Sequence, residues 1–448
     1  MEIFGSDPGR RVIIYFAATI IVGAILLSLP ISAASGSISF VDALFTSTSA
    51  TCVTGLVVVN TATDFSRFGQ VVIMVLIQLG GLGIMTFATG LLLMMGTRLS
   101  FQNRLGLTQT LGAGTQTRSV AILKAVVFTT LIIEGLGAVA LFFKFVGTYP
   151  AGEAAFHAVF HAVGAFCNAG FSTFPNNLQG HWNDVYVIMV IALLIIFGGL
   201  GFAVFGELFQ RVRFKDSKLS LHTKLCVTTT LILIVGGTIA LCLAEYGNIF
   251  KTTGFGYGVA NCFFQSVTAR TAGFDTILQS NLTDVSVMLT IILMFIGVCP
   301  GSTGGGIKTT TTAAIILLVY HRFAGKQAVT AFKRSISPDS IVRALSVALL
   351  AALIIIVMFA LLMFVEERPM AHSASSGTFV DILFEVVSAF GTVGLSLGIT
   401  PNLQAVGKIV IILTMFIGRV GLLTLAFALA RPPKKGEIVF VDESVIVG

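Results

Sequence analysis

The chain has 448 residues, of which 55% are hydrophobic and only 10% are charged, and its formal net charge is +7. So few polar side chains cannot cover a water-soluble globule of this size, which excludes that class and indicates a protein of the lipid bilayer. The six cysteines form no CxxC pair, so the sequence predicts neither a disulfide framework nor a zinc site.

Long apolar segments follow one another along the whole chain. A helix needs about 20 such residues to cross a hydrocarbon core of about 30 Å. If one interrupted segment counts once, eight candidate spans are found near 12–31, 70–95, 120–146, 184–206, 223–245, 285–298 continuing at 311–320, 341–365 and 405–430. The first has no cleavage pattern behind it and is predicted to be a retained transmembrane helix.

A shorter apolar segment lies between the two spans of each successive pair. About a dozen helical residues reach only halfway through the bilayer, so these segments are predicted to be re-entrant half-helices. Each contains a Phe ten residues before a Gly, and Leu or Phe follows that Gly. The four stretches are "FTSTSATCVTGL" (45–56), "FHAVGAFCNAGF" (160–171), "FFQSVTARTAGF" (263–274) and "FEVVSAFGTVGL" (384–395). We call Gly55, Gly170, Gly273 and Gly394 the loop glycines.

This internal repetition predicts the fold class, an all-α membrane protein of four tandem repeats. Each repeat consists of a span, a re-entrant half-helix, a glycine loop and a second span, which gives eight transmembrane helices and four pore loops around a pseudo-fourfold pore. The returning spans carry related glycine motifs, such as "LGGLG" (79–83) and "FGGLG" (197–201). The predicted boundaries are 10–98, 118–210, 220–322 with a broken return helix, 340–431, and a cytosolic C-terminal tail at 432–448.

Basic residues indicate the orientation of the chain. Most of the 27 Lys and Arg residues lie at the N-terminus, in the connections between repeats and in the C-terminal tail. The positive-inside rule then predicts a multi-pass protein of the cell membrane with both termini in the cytosol and all four glycine loops in the outer half. Basic loops facing anionic membrane lipid account for the net charge, so no nucleic-acid partner is predicted.

Four glycine loops at membrane depth suggest an ion-selectivity filter. Non-helical backbone at that depth must be buried in protein or line water, and carbonyls turned toward a common axis can replace the hydration shell of a cation. The partly negative C-terminal ends of the half-helices also favour a cation. The alternative is that these glycines only let helices pack closely, but their common register favours a filter. The predicted lining is Val53, Thr54, Gly55, Asn168, Ala169, Gly170, Thr271, Ala272, Gly273, Thr392, Val393 and Gly394.

The stretch "GVCPGSTGGGIKTT" (297–310) interrupts the third returning span. It is not a phosphate-binding P-loop, because Ile307 separates Lys308 from the last glycine and no strand precedes it. Its proline and glycines break the helix just below the predicted filter, so the sequence predicts a gate. The gate residues are Gly301, Ser302, Thr303, Gly304, Gly305, Gly306, Lys308 and Arg419.

Several charged or titratable residues inside apolar segments need partners. Arg419 is expected to bond carbonyls of the gate loop and to oppose a cation, the alternative being an ion pair between helices. Lys308 is expected to extend to the cytosolic interface. Arg270 is expected to pair with a carboxylate, and the paired His157 and His161 are expected to make packing or polar contacts instead of binding metal.

These repeats, "SVTARTAGF" (266–274) and the glycine-rich break together resemble the Trk/Ktr/HKT superfamily of potassium transporters. The size and the eight spans look most like the KtrB membrane subunits of bacterial Ktr potassium uptake systems. The resemblance implies K+ selectivity at the four loop glycines, with the family gate at 298–308 and Arg419 as its basic partner. It also implies a homodimer on a cytosolic KtrA-like ring that binds ATP and ADP, with Na+ as a candidate activator.

Two other classes remain to be compared. A sodium-coupled secondary transporter would be expected to have inverted repeats and intramembrane acids, whereas these repeats run in one direction. An ATP-driven pump or membrane enzyme would need a phosphate site and acidic metal ligands, and the failed P-loop spacing and the low carboxylate content argue against that class. No nucleotide site is predicted in this chain, so nucleotide control would come from a separate subunit.

Overall fold

The structure is a computed structural model that describes residues 8–94, 115–214, 218–366 and 378–421, with side chains left out at 8–9, 84–94, 115–123 and 213. These residues are mostly helical, as the sequence predicts. They form α1 (Pro8–Ser28), α2 (Phe40–Thr51), α3 (Arg67–Met94), α4 (Thr115–Phe145), α5 (Ala151–Cys167), α6 (Val185–Leu200), α7 (Phe202–Arg213), α8 (Leu221–Glu245), α9 (Ile249–Thr253), α10 (Phe255–Thr268), α11 (Asp284–Phe295), α12 (Thr309–Phe323), α13 (Pro338–Glu366), α14 (Thr378–Gly391) and α15 (Ala405–Val420). The predicted tail at 432–448 lies outside the described residues.

Four of the helices in the described ranges are long and apolar enough to cross a membrane, namely α1, α4, α8 and α13. Each opens one of the predicted repeats. Their outward faces carry exposed apolar side chains such as Leu136, Leu243 and Leu349. In water such faces would be unfavourable, whereas lipid accommodates them.

The returning segments are less regular than the sequence predicts. The expected break in the third is present, because α11 ends at Phe295 and α12 begins at Thr309. A second break, which was not predicted, separates α6 from α7 at Gly201, where the two helices meet at 101°. Gly201 has a φ of 81°, a left-handed conformation that glycine adopts without strain.

The short apolar segments form α2, α5, α10 and α14, with 12, 17, 14 and 14 residues. We call these four the half-helices. The returning helices α3, α6, α11 and α15 each pack against the half-helix of the following repeat, and α15 packs against α2 of the first. The packing is therefore cyclic, with the fourth repeat next to the first.

The glycine motifs of the returning helices allow close contact with the half-helix of the same repeat. A Cβ atom at Gly80, Gly198 or Gly418 would overlap the carbonyl oxygen of Thr51, Phe166 or Phe390, respectively. Those three carbonyls each lie four residues before a loop glycine. Because only glycine fits, this contact brings each of these three half-helix ends directly against its returning helix. In the third repeat, a Cβ atom at Gly297 would instead overlap the carbonyl oxygen of Gly305 in the 298–308 loop.

Only one small sheet occurs in the described part of the chain. Strand β1 (Thr330–Ala331) pairs antiparallel with β2 (Arg334–Ser335) in the connection between α12 and α13. The positive φ angles of Phe332 and Lys333, 51° and 60°, make the tight turn between the strands.

Candidate functional site: a ring of four glycines

The four loop glycines lie against one another in chain order. A Cβ atom on Gly55 would lie 2.9 Å from the Cα of Gly170, and one on Gly170 would lie 3.0 Å from the Cα of Gly273. The same measurement gives 3.1 Å from Gly273 to Gly394 and 2.9 Å from Gly394 back to Gly55. The backbones of the four loops therefore form a closed ring, and a side chain at any of these positions would force its neighbour away.

The backbone next to the ring is strained in the same way in every loop. The residues two places before the loop glycines are Val53, Asn168, Thr271 and Thr392, and their φ angles are 55°, 63°, 70° and 49°. Three of the four are β-branched, for which left-handed backbone is unusual. Such a conformation costs about 1–3 kcal/mol per residue and is found mainly at functional sites.

A cavity of about 300 Å³ lies on one face of the ring. All four loop glycines line it, together with residues that follow them, such as Leu56 and Asp275. Burial raises the pKa of the Asp275 carboxyl to about 6, and a hydrogen bond from Gln179 (2.7 Å) opposes this rise. Asp275 is therefore the acidic side chain on this face of the ring whose charge is most sensitive to pH near neutrality.

The 298–308 loop packs against the other face of the ring. The backbone N–H of Gly305 donates to the hydroxyl of Thr392 (3.1 Å), and a Cβ atom at Gly304 would overlap the hydroxyl of Thr271. Thr303 donates from its hydroxyl to the carbonyl of Phe166 (3.2 Å). These contacts place the loop against two of the strained residues, Thr271 and Thr392, and against the end of the second half-helix.

Two cations hold the 298–308 loop. The buried guanidinium of Arg419 donates to the carbonyl of Thr303 and to the carbonyl of Gly80 (2.8 Å), so the predicted hydrogen bond to a loop carbonyl is present. The interfacial position predicted for Lys308 is wrong. Its Nζ atom folds back and donates to the carbonyls of Gly304 (2.7 Å) and Gly305 (3.2 Å), because these groups leave the helical hydrogen-bond pattern and need donors.

The carboxylate partner predicted for Arg270 is absent from the described residues. Its side chain is buried, and its Nε atom has no hydrogen-bond partner there. The predicted polar contacts of the two histidines are present: His157 Nδ1 lies 2.6 Å from the hydroxyl of Thr173, and His161 Nε2 lies 2.9 Å from that of Ser172.

Sequence reasoning missed two contacts, one at the ring and one between the first and last repeats. The side chain of Asn177 reaches the carbonyls of Gly170 and Gly273, and an ion pair joins Asp42 to Lys408. Asn177 lies seven residues beyond its loop glycine and outside every repeated motif. The two members of the ion pair belong to the first and last repeats, so only a closed arrangement brings them together.

The fold and the ring identify the class of protein to which the chain belongs. The profile of the TrkH family, described as a cation transport protein, matches residues 9–436. The chain belongs to this family, which comprises membrane transport proteins and not enzymes, as the sequence predicted.

Relatives of known name are similar over nearly their whole length. The chain is 40% identical to the Ktr system potassium uptake protein B of Bacillus subtilis, over 98% of this chain and 97% of that protein. It is 37% identical to the potassium/sodium uptake protein NtpJ of Enterococcus hirae, over 99% and 97%. The crystal structure of the potassium transporter TrkH from Vibrio parahaemolyticus has a TM-score of 0.73, at 20% identity, covering 96% of this chain and 86% of that one.

Proposed function

We propose that the protein carries K+ into the cell through a selectivity filter formed by the four glycine loops. The observation that carries the proposal is the closed ring of Gly55, Gly170, Gly273 and Gly394. The names of the relatives, potassium uptake proteins of Ktr systems, support K+ as the transported ion.

In this mechanism the main chain replaces the water around the ion. The carbonyls of the twelve lining residues from Val53–Gly55, Asn168–Gly170, Thr271–Gly273 and Thr392–Gly394 face a common axis and coordinate K+ in place of its hydration shell. Neighbouring loops touch through backbone atoms, so the ring cannot contract easily around a smaller ion. The C-terminal ends of the half-helices add a partial negative charge.

The 298–308 loop is proposed to be the gate. It lies against the filter face that holds Thr271 and Thr392, with Arg419 and Lys308 bonded to its carbonyls. In the closed state both cations would repel K+, and the loop would fill its path. Opening requires the loop to leave the filter, and glycine-rich backbone can make that movement.

The proposed topology has eight spans in four repeats with the predicted boundaries, both termini in the cytosol and the cavity beside Asp275 on the outside. In this arrangement the chain is a multi-pass protein of the cell membrane. By its similarity to Ktr subunits, it would form a homodimer on a separate cytosolic ring that binds ATP or ADP. The second candidate function is sodium-coupled secondary cation transport, for which the only support is that one relative is named a potassium/sodium uptake protein.

Uptake in a K+-uptake-deficient bacterial strain tests the proposal. The wild-type chain should restore growth on millimolar K+, and Gly55→Ser should admit Na+ or impair K+ uptake, because its Cβ atom would lie 2.5 Å from the carbonyl oxygen of Ala169. Unchanged growth and ion preference in the Ser variant would refute the filter assignment. Rubidium flux into vesicles with and without a Na+ gradient separates the two candidates, because only a coupled transporter requires the gradient.

Deleting 301–306 tests the gate. The deletion should raise basal rubidium flux into vesicles because it removes most of the loop beneath the filter. Lower flux would mean that the loop supports conduction instead of blocking it. The folded amount of each variant, measured by size-exclusion chromatography in detergent, provides the normalisation.

A further inference from the structure

The Asn177 side chain joins two of the four loops. Its Nδ2 atom lies 3.2 Å from the carbonyl oxygen of Gly170 and 3.4 Å from that of Gly273. These glycines belong to the second and third loops and are neighbours in the ring. One amide group therefore donates to two carbonyls of adjacent repeats.

The position of this amide is fixed by bonds that do not involve the filter. The backbone N–H of Asn177 donates to the carbonyl of Phe174 (3.2 Å), and its own carbonyl accepts from the hydroxyl of Ser172 (3.3 Å). The next residue, Leu178, donates from its N–H to the carbonyl of Asp275 (3.1 Å). The backbone is left-handed, with φ of 52°, a conformation that asparagine tolerates better than most residues.

Chemistry also fixes the orientation of the amide. Rotating it by half a turn would place Oδ1 against two carbonyl oxygens, which are acceptors like itself. In the observed orientation Oδ1 is buried and finds no hydrogen-bond partner among the residues that the structure describes. In this orientation Nδ2 donates to the carbonyls of Gly170 and Gly273 while Oδ1 stays unpaired. The two donated hydrogen bonds therefore determine how the amide is oriented.

The ring is asymmetric in this respect. In the described part of the chain, no side-chain donor bonds the carbonyls of Gly55 and Gly394, whereas Asn177 bonds those of Gly170 and Gly273. A carbonyl held by an N–H donor is less free to move toward a small ion. Two of the four positions would therefore resist the contraction that Na+ requires.

We propose that Asn177 is a positioning residue that fixes the spacing of the Gly170 and Gly273 carbonyls and thereby favours K+ over Na+. The inference rests on the proposed filter and deepens it. Asn177 acts through the two glycines and need not touch the ion. Selectivity would then depend on a fifth residue besides the four loop glycines, and this residue contacts only Gly170 and Gly273.

The test compares two variants that differ by one position. Asn177→Asp keeps the shape and removes both N–H donors. Asn176→Asp, at an exposed residue that lines the same cavity, adds the same charge without contacting the ring. Competition of Na+ with rubidium uptake is measured for wild type and both variants in vesicles. The ratio of apparent affinities does not depend on the amount of folded protein.

The expected result is a K+ preference at least about fivefold lower in Asn177→Asp, since fivefold is the factor that one lost hydrogen bond gives and this variant loses two, and an unchanged preference in Asn176→Asp. If the Asp variant does not fold, Asn177→Gly is measured instead, because glycine keeps the left-handed backbone and also lacks the amide. Wild-type selectivity in the folded Asn177 variant, or an equal loss in both Asp variants, overturns the inference. A wild-type chain without K+ preference contradicts the proposed function itself, which the variants do not test.

Discussion

The backbone N–H of Gly305 donates a hydrogen bond to the hydroxyl of Thr392, with 3.1 Å between the nitrogen and Oγ1. Gly305 belongs to the loop that interrupts the third returning span, and Thr392 is one of the four left-handed residues next to the glycine ring. The bond connects the proposed gate to the proposed filter directly. Changes on either side of it should therefore alter ion flux.

The first prediction concerns Gly305→Ala. The new Cβ atom would overlap the Thr392 hydroxyl and lie 3.2 Å from the carbonyl oxygen of Gly391, so the loop must move away from the filter. We expect basal rubidium flux to rise about fivefold, because one hydrogen bond that holds the closed state is lost. Gly236→Ala, where nothing lies within 4 Å, is the control and should leave flux unchanged. Equal flux in both variants would refute the closed position of the loop.

The second prediction concerns Arg419→Gln. Its guanidinium donates to the carbonyls of Thr303 and Gly80, and hydrogen bonds to charged groups contribute about 1.5–3 kcal/mol each. The shorter, uncharged glutamine should release the loop and raise basal flux about tenfold or more. Arg419→Lys keeps the charge but lacks the planar guanidinium that donates to both carbonyls. Its basal flux should therefore lie between those of the wild type and Arg419→Gln. A Gln variant with lower flux than wild type would show that Arg419 assists conduction.

The third prediction concerns the closure of the four repeats. The Nζ atom of Lys408 lies 2.6 Å from Oδ1 of Asp42, and these side chains are 16% and 20% exposed. The exposure of this pair lies between that of surface pairs and that of fully buried pairs. Asp42→Asn should therefore lower the free energy of unfolding by about 1–3 kcal/mol. Thermal unfolding in detergent measures the loss.

Another ion pair provides the control for this measurement. Arg67 and Glu153 are 4.0 Å apart and more than half exposed, so Glu153→Gln should cost less than about 1 kcal/mol. If Asp42→Asn unfolds at the same temperature as Glu153→Gln, the first and fourth repeats do not depend on this bond.

The fourth prediction concerns the contact between a returning helix and its half-helix. In Gly418→Ala the Cβ atom would overlap the carbonyl oxygen of Phe390, so α15 must move away from α14. Overpacking of this kind typically costs about 1–3 kcal/mol, which should lower the unfolding temperature and also weaken K+ selectivity. Gly135→Ala in α4 has nothing within 4 Å and should unfold at the wild-type temperature.

The register of the ring was predictable from the sequence because it is a local pattern repeated four times. Phe and Gly at a spacing of ten identify each half-helix and its loop without knowledge of the fold. The returning glycines were also recognised as a motif, but their role was not. The contacts with the carbonyls of Thr51, Phe166 and Phe390 depend on how two helices approach each other in the folded protein. The amino-acid sequence alone does not specify that approach.

The bend at Gly201 shows where local pattern fails. Gly83 and Gly201 end the similar motifs "LGGLG" and "FGGLG", yet α3 continues through Gly83 while α6 ends before Gly201. The difference is tertiary. A Cβ atom on Gly201 would lie 2.9 Å from the carbonyl oxygen of Pro300 in the 298–308 loop, and the N–H of Phe202 donates to the carbonyl of Gly301 (3.4 Å). Asn177 and the Asp42–Lys408 pair were missed for the same reason.

The central claim is that the ring of loop glycines binds K+. Crystals of the protein grown in rubidium and measured at the rubidium absorption edge would test it most directly. We predict an anomalous peak on the ring axis, within coordination distance of the carbonyls of all four loops. The peak should weaken when K+ is added to the rubidium and persist when Na+ is added instead of K+. Rubidium bound only elsewhere, or displaced equally by both ions, would contradict the claim.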